Sequence, residues 1–384
     1  MESTLRMGVV GLGRAATAML PSLVSHPGID VVAAADPNPA AREQFARAFG
    51  GSAHASLSAM LDDAALDAVY IATPHQFHAQ HALAAAAAGK HMIIEKPLAL
   101  NVDDCRRIVA AAQRAGVVTL VGHTAGFDPA VRRMRQLIAS GEVGALRMIT
   151  SLAYTDFLYR PRRPEELDTR LGGGIVFNQV PHQIEIARVL AQEPVRSVRA
   201  ATGIWDRERP TEGAMSAFIE FAGGAVASLT YSGYDRFDSD EFCFWIGVGG
   251  SPKTAGGHGS ARRALAGVDE ARARTGRGFA GRSVGAETGP AYQPHFGMLL
   301  VSCEQADLRV SRDGVLVYDV AGVREIALPP GRAAPNRDFV ADDFHAAVTQ
   351  GVKPLQDAAW GLETVEIALA LLRSAEQRQE LYLR

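Results

Sequence analysis

Apolar and polar positions in the first part of the chain alternate between two periods. Short apolar runs of about four to eight residues, rich in β-branched side chains, are typical of strands buried on both faces. They predict strands at Leu5–Val10, Val31–Ala35, Ala68–Ala72, His91–Ile94 and Val117–Val121. Segments between them predict helices at Ala15–Ser25, Pro39–Phe49, Phe77–Ala88 and Asp103–Ala115. Regular alternation of strands and helices predicts an α/β fold with a doubly wound parallel sheet.

The pattern changes after residue 124. Longer strand-like runs with few helices between them predict a large, mostly antiparallel sheet of an α+β domain. The predicted strands are Leu146–Tyr154, Val195–Ile204, Met215–Phe221, Ala225–Tyr234 and Phe242–Val248. The predicted helices are Pro129–Ser140, Asn178–Leu190, Asn336–Gln350 and Ala358–Arg378. We therefore expect domains at 1–124 and 125–384, the second with one sheet face on helices and the other open.

Residues 251–291 hold nine Gly and six Arg with little apolar periodicity. Low apolar content and many glycines disfavour regular packing, so the segment is expected to be an insertion with little regular structure.

Composition excludes several classes of protein. The chain has 384 residues, with 39 Lys plus Arg against 42 Asp plus Glu, and a net charge of −3. This balance does not favour binding to nucleic acid or to an anionic membrane surface. Three widely spaced cysteines, Cys105, Cys243 and Cys303, form neither a disulfide framework nor a zinc motif. Because neither a signal sequence nor an apolar run of about 18 residues is recognised, we expect a cytoplasmic protein.

A glycine-rich loop follows the first predicted strand and opens a helix. Gly11-Leu12-Gly13-Arg14-Ala15-Ala16 has the G-x-G-x-x-A form of a dinucleotide-binding loop, in which a pyrophosphate rests on the helix N-terminus. Asp36, which follows the second strand, can bind both ribose hydroxyls of NAD and would repel the additional phosphate of NADP. The alternatives are an ordinary tight turn for the loop and an NADP-binding role for Arg42. The pattern favours NAD as the cofactor.

Further polar motifs fall at strand ends, where a doubly wound sheet binds its ligands. These are Thr73-Pro74-His75-Gln76-Phe77-His78, Glu95-Lys96-Pro97 and Gly122-His123. Gly172-Gly173-Gly174 leads into Asn178 and His182, and Pro354–Glu363 contains the start of the last predicted helix. Together with the glycine loop, these motifs resemble the Gfo/Idh/MocA family of oxidoreductases over nearly the whole chain. The resemblance implies cofactor contacts from Thr73, Pro74, His75, His78, Glu95, Lys96 and His123, a cis Lys96–Pro97 bond, and no metal.

The resemblance also implies the catalytic roles. Lys96 would orient and polarise a substrate hydroxyl, and His182, whose pKa normally lies near neutrality, would take its proton. Asn178 precedes His182 by four residues and so shares its helix face. The family's usual residue there is Asp, and an amide cannot carry a proton or a negative charge. This departure weakens the inference to a simple sugar substrate.

The segment Tyr159–Arg170, just before the glycine triplet, carries four arginines within the eleven residues from 160 to 170. Guanidinium groups bind carboxylates bidentately, so Tyr159, Arg160, Arg163 and Arg170 are candidate substrate residues. The alternative is a solvated loop neutralised by Glu165, Glu166 and Asp168. The segment is similar to a branch of the family that oxidises phthalate-derived cis-dihydrodiols to catechols.

Three functions remain open beside a dihydrodiol dehydrogenase. They are a general sugar or polyol dehydrogenase, a non-enzymatic NAD-binding regulator and an NAD-dependent glycoside hydrolase. In each case the expected ligand is a small molecule. The open sheet face of the second domain predicts a homodimer or homotetramer, because an exposed apolar sheet face favours association.

Overall fold

The structure is a computed structural model that describes residues 4–63, 65–122, 124–275, 291–329 and 334–383. The described residues divide into two compact units. The first draws them from 1–123, 269–288 and 332–365, and the second from 124–268, 289–331 and 366–384. No helix among the described residues is long and apolar enough to span a bilayer.

The first unit contains a parallel sheet, which is six-stranded in the described residues and has the order β3-β2-β1-β4-β5-β6. Its strands are β1 Leu5–Val10, β2 Ile29–Ala35, β3 Ser52–His54, β4 Ala68–Ile71, β5 His91–Ile94 and β6 Thr119–Val121. The helices between them are α1 Arg14–Ser25, α2 Pro39–Phe49, α3 Leu57–Asp63, α4 His78–Ala87 and α5 Val102–Ala115. The predicted doubly wound sheet is confirmed. The sequence pattern missed β3 and α3, which are too short to show a period.

Residues late in the chain complete this first unit. The main-chain N–H of Val121, in the edge strand β6, donates to the carbonyl of Gln356 at 2.8 Å. Ala358 N–H donates to Thr119 Oγ1 of the same strand at 3.0 Å. Helix α11, Pro335–Gln350, packs on α1. The sequence placed everything after residue 124 in the second domain, whereas the structure packs this segment with the first sheet because β6 lacks a neighbouring strand on that side.

The second unit is built on a mostly antiparallel sheet, in which nine described strands have the order β14-β13-β12-β11-β7-β10-β9-β8-β15. The strands are β7 Leu146–Tyr154, β8 Val195–Gly203, β9 Ala214–Phe221, β10 Val226–Ser232, β11 Met298–Cys303, β12 Asp307–Val310, β13 Gly314–Asp319, β14 Gly322–Ala327 and β15 Leu381–Tyr382. The helices of this unit are α6 Pro129–Ala139, α7 Gly174–Asn178, α8 Val180–Ala191 and α9 Ser260–Leu265. By the same division, α10 Glu270–Thr275 belongs to the first unit, and α12 Ala358–Gln377 begins among its residues and ends among those of the second.

This sheet has one covered and one open face. Ile149 and Leu229 are fully buried on the face against which α8 packs. Met148 of β7 and Phe218 of β9, on the opposite face of the sheet, are 44% and 48% exposed. The predicted large, mostly antiparallel sheet is confirmed.

The predicted strand at Phe242–Val248 is wrong. Ser239–Cys243 forms a single 3-10 turn, and Phe244 and Trp245 have φ values of 61° and 55°, which a strand cannot accommodate. The turn forms because Asp238 accepts a hydrogen bond from Asp240 N–H at 3.1 Å. In the predicted insertion, residues 251–275 contain two short helices, α9 and α10, and residues 276–290 lie outside the described residues.

Candidate active site

The glycine-rich loop joins β1 to α1 in the first unit. Gly11 has φ +89°, and a Cβ there would lie 2.9 Å from the carbonyl of Ala72. A Cβ at Gly13 would meet no described atom within 4 Å. Gly13 is the N-cap of α1, so that Arg14 and Ala15 begin the helix. The loop thus presents open space at a helix N-terminus, which fits the pyrophosphate of a dinucleotide.

Asp36 is fixed beside this loop. Its two carboxylate oxygens accept hydrogen bonds from the main-chain N–H groups of Leu12 at 2.7 Å and Asn38 at 2.8 Å. The guanidinium of Arg42 donates to the carbonyls of Asp36 and Pro37 at 2.8 and 3.0 Å. A carboxylate oxygen can accept a second hydrogen bond, so Asp36 can still bind a ribose hydroxyl.

His78 connects the two predicted strand-end motifs. It is fully buried, with Nδ1 2.7 Å from the carbonyl of Pro97 and Nε2 2.9 Å from the carbonyl of Thr73. Burial lowers the pKa of His78, although both carbonyls favour its protonated form. The Lys96–Pro97 peptide is cis, as predicted. From its buried position, His78 therefore supports the turn that carries Lys96.

Other predicted cofactor residues lie around this turn. Glu95 Oε1 accepts a hydrogen bond from the buried hydroxyl of Tyr70 at 2.7 Å. Pro74 is followed by a 3-10 turn that begins at His75, whose ring lies edge-on to that of His78 with centroids 5.7 Å apart. His123, predicted to lie near the nicotinamide, is outside the described residues.

The glycine triplet of the second unit is organised by Asn178. Its Nδ2 donates to the carbonyls of Gly172 at 2.9 Å and Gly174 at 2.8 Å. Both glycines have positive φ values, +83° and +72°. Asn178 therefore holds the turn that begins α7, and its amide supplies the donors that an aspartate would lack.

Glu212 lies directly behind the triplet. It is 3% exposed and accepts hydrogen bonds from the hydroxyls of Thr169 and Thr211 and from Val176 N–H. Burial raises the pKa of Glu212, and these donors oppose the shift. A Cβ at Gly174 would lie 2.2 Å from Glu212 Oε1. This carboxylate therefore explains why the third residue of the triplet must be glycine.

The helix carrying His182 is interrupted just before it. Gln179 separates α7 from α8, with φ −120° and ψ −46°. Its Oε1 accepts from Tyr231 OH at 3.1 Å, and its Nε2 donates to the Asn178 carbonyl at 3.1 Å. The ring of His182 contacts Phe296, with centroids 4.8 Å apart. The hydrogen bonds of Gln179 thus fix the junction between Asn178 and His182.

Of the four arginines, Arg160 has the strongest electrostatic influence on Tyr231, whose hydroxyl binds Gln179 at this junction. Asp156 Oδ1 accepts hydrogen bonds from its Nε at 2.8 Å and Nη2 at 2.7 Å, and 23% of its side chain is exposed. Burial alone would raise the pKa of Asp156, but Arg160 lowers it below its usual value. Burial also raises the pKa of Tyr231, and Arg160 acts against this shift. The neighbouring Thr155 hydroxyl lies 2.7 Å from that of Tyr231.

The other arginines have local partners. Arg162 donates to the carbonyl of Phe157 from Nε at 3.2 Å and Nη2 at 2.6 Å, and is 8% exposed. Arg163 pairs with Glu165 at 3.1 Å, and Arg170 pairs with Asp168 at 2.8 Å. These last two pairs agree with the alternative drawn from the sequence, in which the loop's own carboxylates neutralise its arginines.

Tyr159 lies on another side of the same loop. Its hydroxyl donates to Asp206, and the guanidinium of Arg262 stacks 3.7 Å from its ring centroid. Arg262 also donates to the Tyr234 carbonyl at 2.7 Å. Tyr159 therefore anchors the first part of the predicted insertion through Asp206 and Arg262.

Sequence reasoning missed Gln179, Glu212, Tyr231 and Phe296. Gln179 adjoins the motif, but no residue pattern marks it. The Thr211-Glu212 pair directly before a strand could have indicated a buried acceptor. Phe296 and Tyr231 belong to the site only through the sheet topology.

Comparison with known proteins decides the family. Residues 5–123 match the family described as "Oxidoreductase family, NAD-binding Rossmann fold", and residues 131–251 match the C-terminal domain of the same family. The chain is 39% identical to the 1-carboxy-3-chloro-3,4-dihydroxycyclohexa-1,5-diene dehydrogenase of Comamonas testosteroni, over 97% of this chain and 95% of that protein. The chain belongs to the Gfo/Idh/MocA family of oxidoreductases. The resemblance inferred from the motifs is confirmed.

Solved structures agree with this assignment. A dehydrogenase from Bordetella bronchiseptica RB50 has 43% identity and a TM-score of 0.93, with 99% of this chain and 100% of that chain covered. Levoglucosan dehydrogenase, in complex with NADH and levoglucosan, has 21% identity and a TM-score of 0.78 over both entire chains, which shows a shared fold. As a member of the family, this protein is a dehydrogenase whose first domain has the nicotinamide-dinucleotide-binding Rossmann fold.

Proposed function

We propose that this protein is an NAD-dependent dehydrogenase that oxidises a carboxylated cyclic cis-dihydrodiol. The observation that carries the proposal is its similarity, across almost its full length, to a dehydrogenase named for a carboxylated dihydroxycyclohexadiene. The chain also carries the lysine and histidine that such a reaction requires, and a partly buried arginine, Arg160, whose charge acts on Tyr231. Phthalate 4,5-dihydrodiol, which would give 4,5-dihydroxyphthalate, is one member of this substrate class.

NAD is proposed over NADP because of Asp36. Its carboxylate is held rigidly by two main-chain N–H groups, so it cannot easily turn away from an incoming phosphate. A 2′-phosphate at this position would place like charges together. Arg42, the residue that would favour NADP, donates to two main-chain carbonyls.

The reaction removes a hydride from carbon and a proton from oxygen. The nicotinamide, when bound, accepts the hydride. We propose that Lys96 donates a hydrogen bond to the hydroxyl being oxidised and that His182 takes its proton, so that the C–H and O–H bonds break and a C=O bond forms. Asn178 holds the glycine turn and carries no proton. The resulting ketone tautomerises to a catechol, and the gain in aromaticity favours oxidation.

Arg160 is proposed to bind the substrate carboxylate. Its contacts with Asp156 use the Nε edge of the guanidinium, and a carboxylate can bind the fork formed by the two Nη atoms. Arg163 and Arg170 are more exposed, with 40% and 88% of their side chains accessible, and are paired within their own loop. They are assigned a lesser role.

We further propose that two or four copies assemble through the open sheet face. Met148 and Phe218 lie exposed on it, and burial of such residues favours association.

The deciding experiment mixes the protein with NAD and follows NADH absorbance with a panel of diols. Carboxylated cis-dihydrodiols with one and with two carboxylates should give the highest kcat/KM. A higher kcat/KM for inositol or another uncharged polyol would instead identify a general polyol dehydrogenase. Binding of NAD without turnover of any diol would identify a regulator, and glycoside cleavage without net NADH would identify a hydrolase.

A further inference from the structure

Phe296 lies directly beside the proposed general base. Its ring centroid is 4.8 Å from that of His182, with the planes tilted by 40°. On β10, Tyr231 stacks against the same phenyl ring with an interplanar angle of 23° and centroids 6.2 Å apart. Tyr231 is fully buried, whereas Phe296 is only half-buried. Phe296 is therefore supported from within the protein, contacts His182 and remains partly accessible.

The segment that presents Phe296 is held firmly. His295 Nδ1 accepts a hydrogen bond from Gly297 N–H at 3.1 Å, and its Nε2 lies 2.7 Å from the carbonyl of Ile246. This arrangement requires the neutral tautomer with the proton on Nε2, and burial lowers the pKa of His295 in agreement. Gly297 has φ +79°, and a Cβ there would lie 2.4 Å from the Leu152 carbonyl. The backbone on both sides of Phe296 is thus fixed.

A flat apolar surface beside a base suits one kind of ring. A polyol carries hydroxyls around its ring that need hydrogen-bond partners, and a phenyl ring supplies none. A cyclohexadiene diol has hydroxyls on two carbons only, and the rest of its ring is unsaturated and nearly flat. Its catechol product is planar, so that offset stacking on an aromatic side chain is favourable.

We propose that Phe296 determines substrate specificity by stacking on the unsaturated ring of the substrate and on its aromatic product. This inference rests on the proposed function and adds to it the feature that separates cyclohexadiene diols from polyols. Tyr231 supports Phe296 from behind and, through Gln179, supports the helix junction before His182. In this proposal Phe296 and His182 flank the reacting carbon, and both are thereby held in place.

The test is ligand binding to the full-length protein with NAD present, measured by calorimetry. The two probes are 3,4-dihydroxybenzoate and cyclohexanecarboxylate. They share a carboxylate and differ in the flatness of the ring and in two hydroxyls, and the hydroxyls have no hydrogen-bond partner on a phenyl side chain. Phe296→Leu should raise the Kd for dihydroxybenzoate about three- to tenfold, on the scale of aromatic stacking. The Kd for cyclohexanecarboxylate should stay within about twofold. Phe296→Tyr, which keeps a flat ring, should retain the parent's preference.

A matched control is Phe242→Leu. Phe242 is 43% exposed and contacts Phe237, with ring centroids 5.3 Å apart, so this variant should bind both probes like the parent. Phe296→Met replaces Phe296→Leu if the leucine variant does not fold. Equal changes for both probes, or no change, would overturn the role of Phe296.

Kinetics separates this inference from the proposed function. Phe296→Leu should raise KM for the carboxylated dihydrodiol more than it lowers kcat, because the proton acceptor is retained. If the parent does not oxidise any dihydrodiol, the proposed function fails. If the parent does so and Phe296→Leu keeps its KM, only the assignment of Phe296 fails.

Discussion

The side-chain amide of Asn178 donates a hydrogen bond to the main-chain carbonyl of Gly174 at 2.8 Å. A second N–H of the same amide donates to Gly172. These two bonds give the asparagine a clear structural purpose at a position where the family usually has aspartate. They also make the consequences of restoring the acid testable.

Asn178→Asp should destabilise the protein, because a carboxylate would face two carbonyl oxygens without a proton to donate. We expect a loss of about 1–3 kcal/mol in the free energy of unfolding near neutral pH. The carbonyls raise the pKa of the introduced acid, so the loss should shrink as the pH falls and the acid becomes protonated. Denaturant unfolding at several pH values measures this. A loss that does not vary between about pH 8 and pH 5 would contradict it.

Lys96→Met and His182→Ala should each lower kcat by about 10²- to 10⁴-fold, the usual range for groups that assist proton transfer. NAD affinity, measured by fluorescence titration, should be retained, since the glycine loop and Asp36 are unchanged. Asn178→Ala should cost less than His182→Ala, because no proton passes through the amide. A His182→Ala variant within about threefold of the parent rate would show that another group takes the proton.

Arg160→Met should raise KM for a carboxylated substrate by about 10- to 100-fold, on the scale of a charged hydrogen bond of ~1.5–3 kcal/mol. Arg160→Lys should recover only part of this, because an ammonium group cannot bind a carboxylate bidentately. The matched control is Arg170→Met, because the Arg170 side chain is 88% exposed and its guanidinium pairs with Asp168 in its own loop. Equal KM changes in the two methionine variants would argue against a carboxylate site at Arg160.

Asp36→Ala should narrow the preference for NAD over NADP. The variant loses the acceptor for the ribose hydroxyls and also the charge that repels the 2′-phosphate. The measurement is the ratio of kcat/KM for the two cofactors, with Asp30→Ala as a control, because Asp30 is exposed at the start of β2. A parent enzyme that uses NADP as well as NAD would refute the proposed cofactor preference.

Gly174→Ala should destabilise the second unit by more than about 1 kcal/mol, since it combines a positive φ of +72° with a Cβ 2.2 Å from Glu212 Oε1. Gly249→Ala is the control, because a Cβ there would meet no described atom within 4 Å. Thermal unfolding compares the two variants. Equal melting temperatures would show that Glu212 moves away at no cost.

The sequence predicted those helices and strands in which apolar residues recur at a regular spacing. The bounds of β1, α2, β5 and β7 agree with prediction to the residue, because each lies between clear turn signals. Phe242–Val248 is a continuous apolar run like a buried strand, yet a turn forms there because Asp238 caps it and, with Asp240, binds Lys253 beyond the segment. Contacts between residues far apart in sequence overrode the local pattern there.

The candidate site divides in the same way. Motifs containing glycine, lysine and histidine could be recognised because local geometry restricts which residues they contain. Glu212, Tyr231 and Phe296 could not, because β9, β10 and the start of β11 bring them to α7 and α8 only after the sheet has formed. The choice among the four arginines also depended on their ion-pair partners. Arg160 pairs with Asp156 and not with the glutamates of its own loop.

The return of residues near 356 to the edge of β6 has a consequence for biosynthesis. A ribosome that has released the first 124 residues has not yet made the segment that completes their sheet. At about 5–20 residues per second, this segment emerges only some 10 to 50 seconds later. During that interval the nascent first domain exposes the N–H groups of an unfinished edge strand, which is a template for wrong pairing. The dinucleotide-binding domain, although first in sequence, is therefore among the last parts of the molecule to be finished.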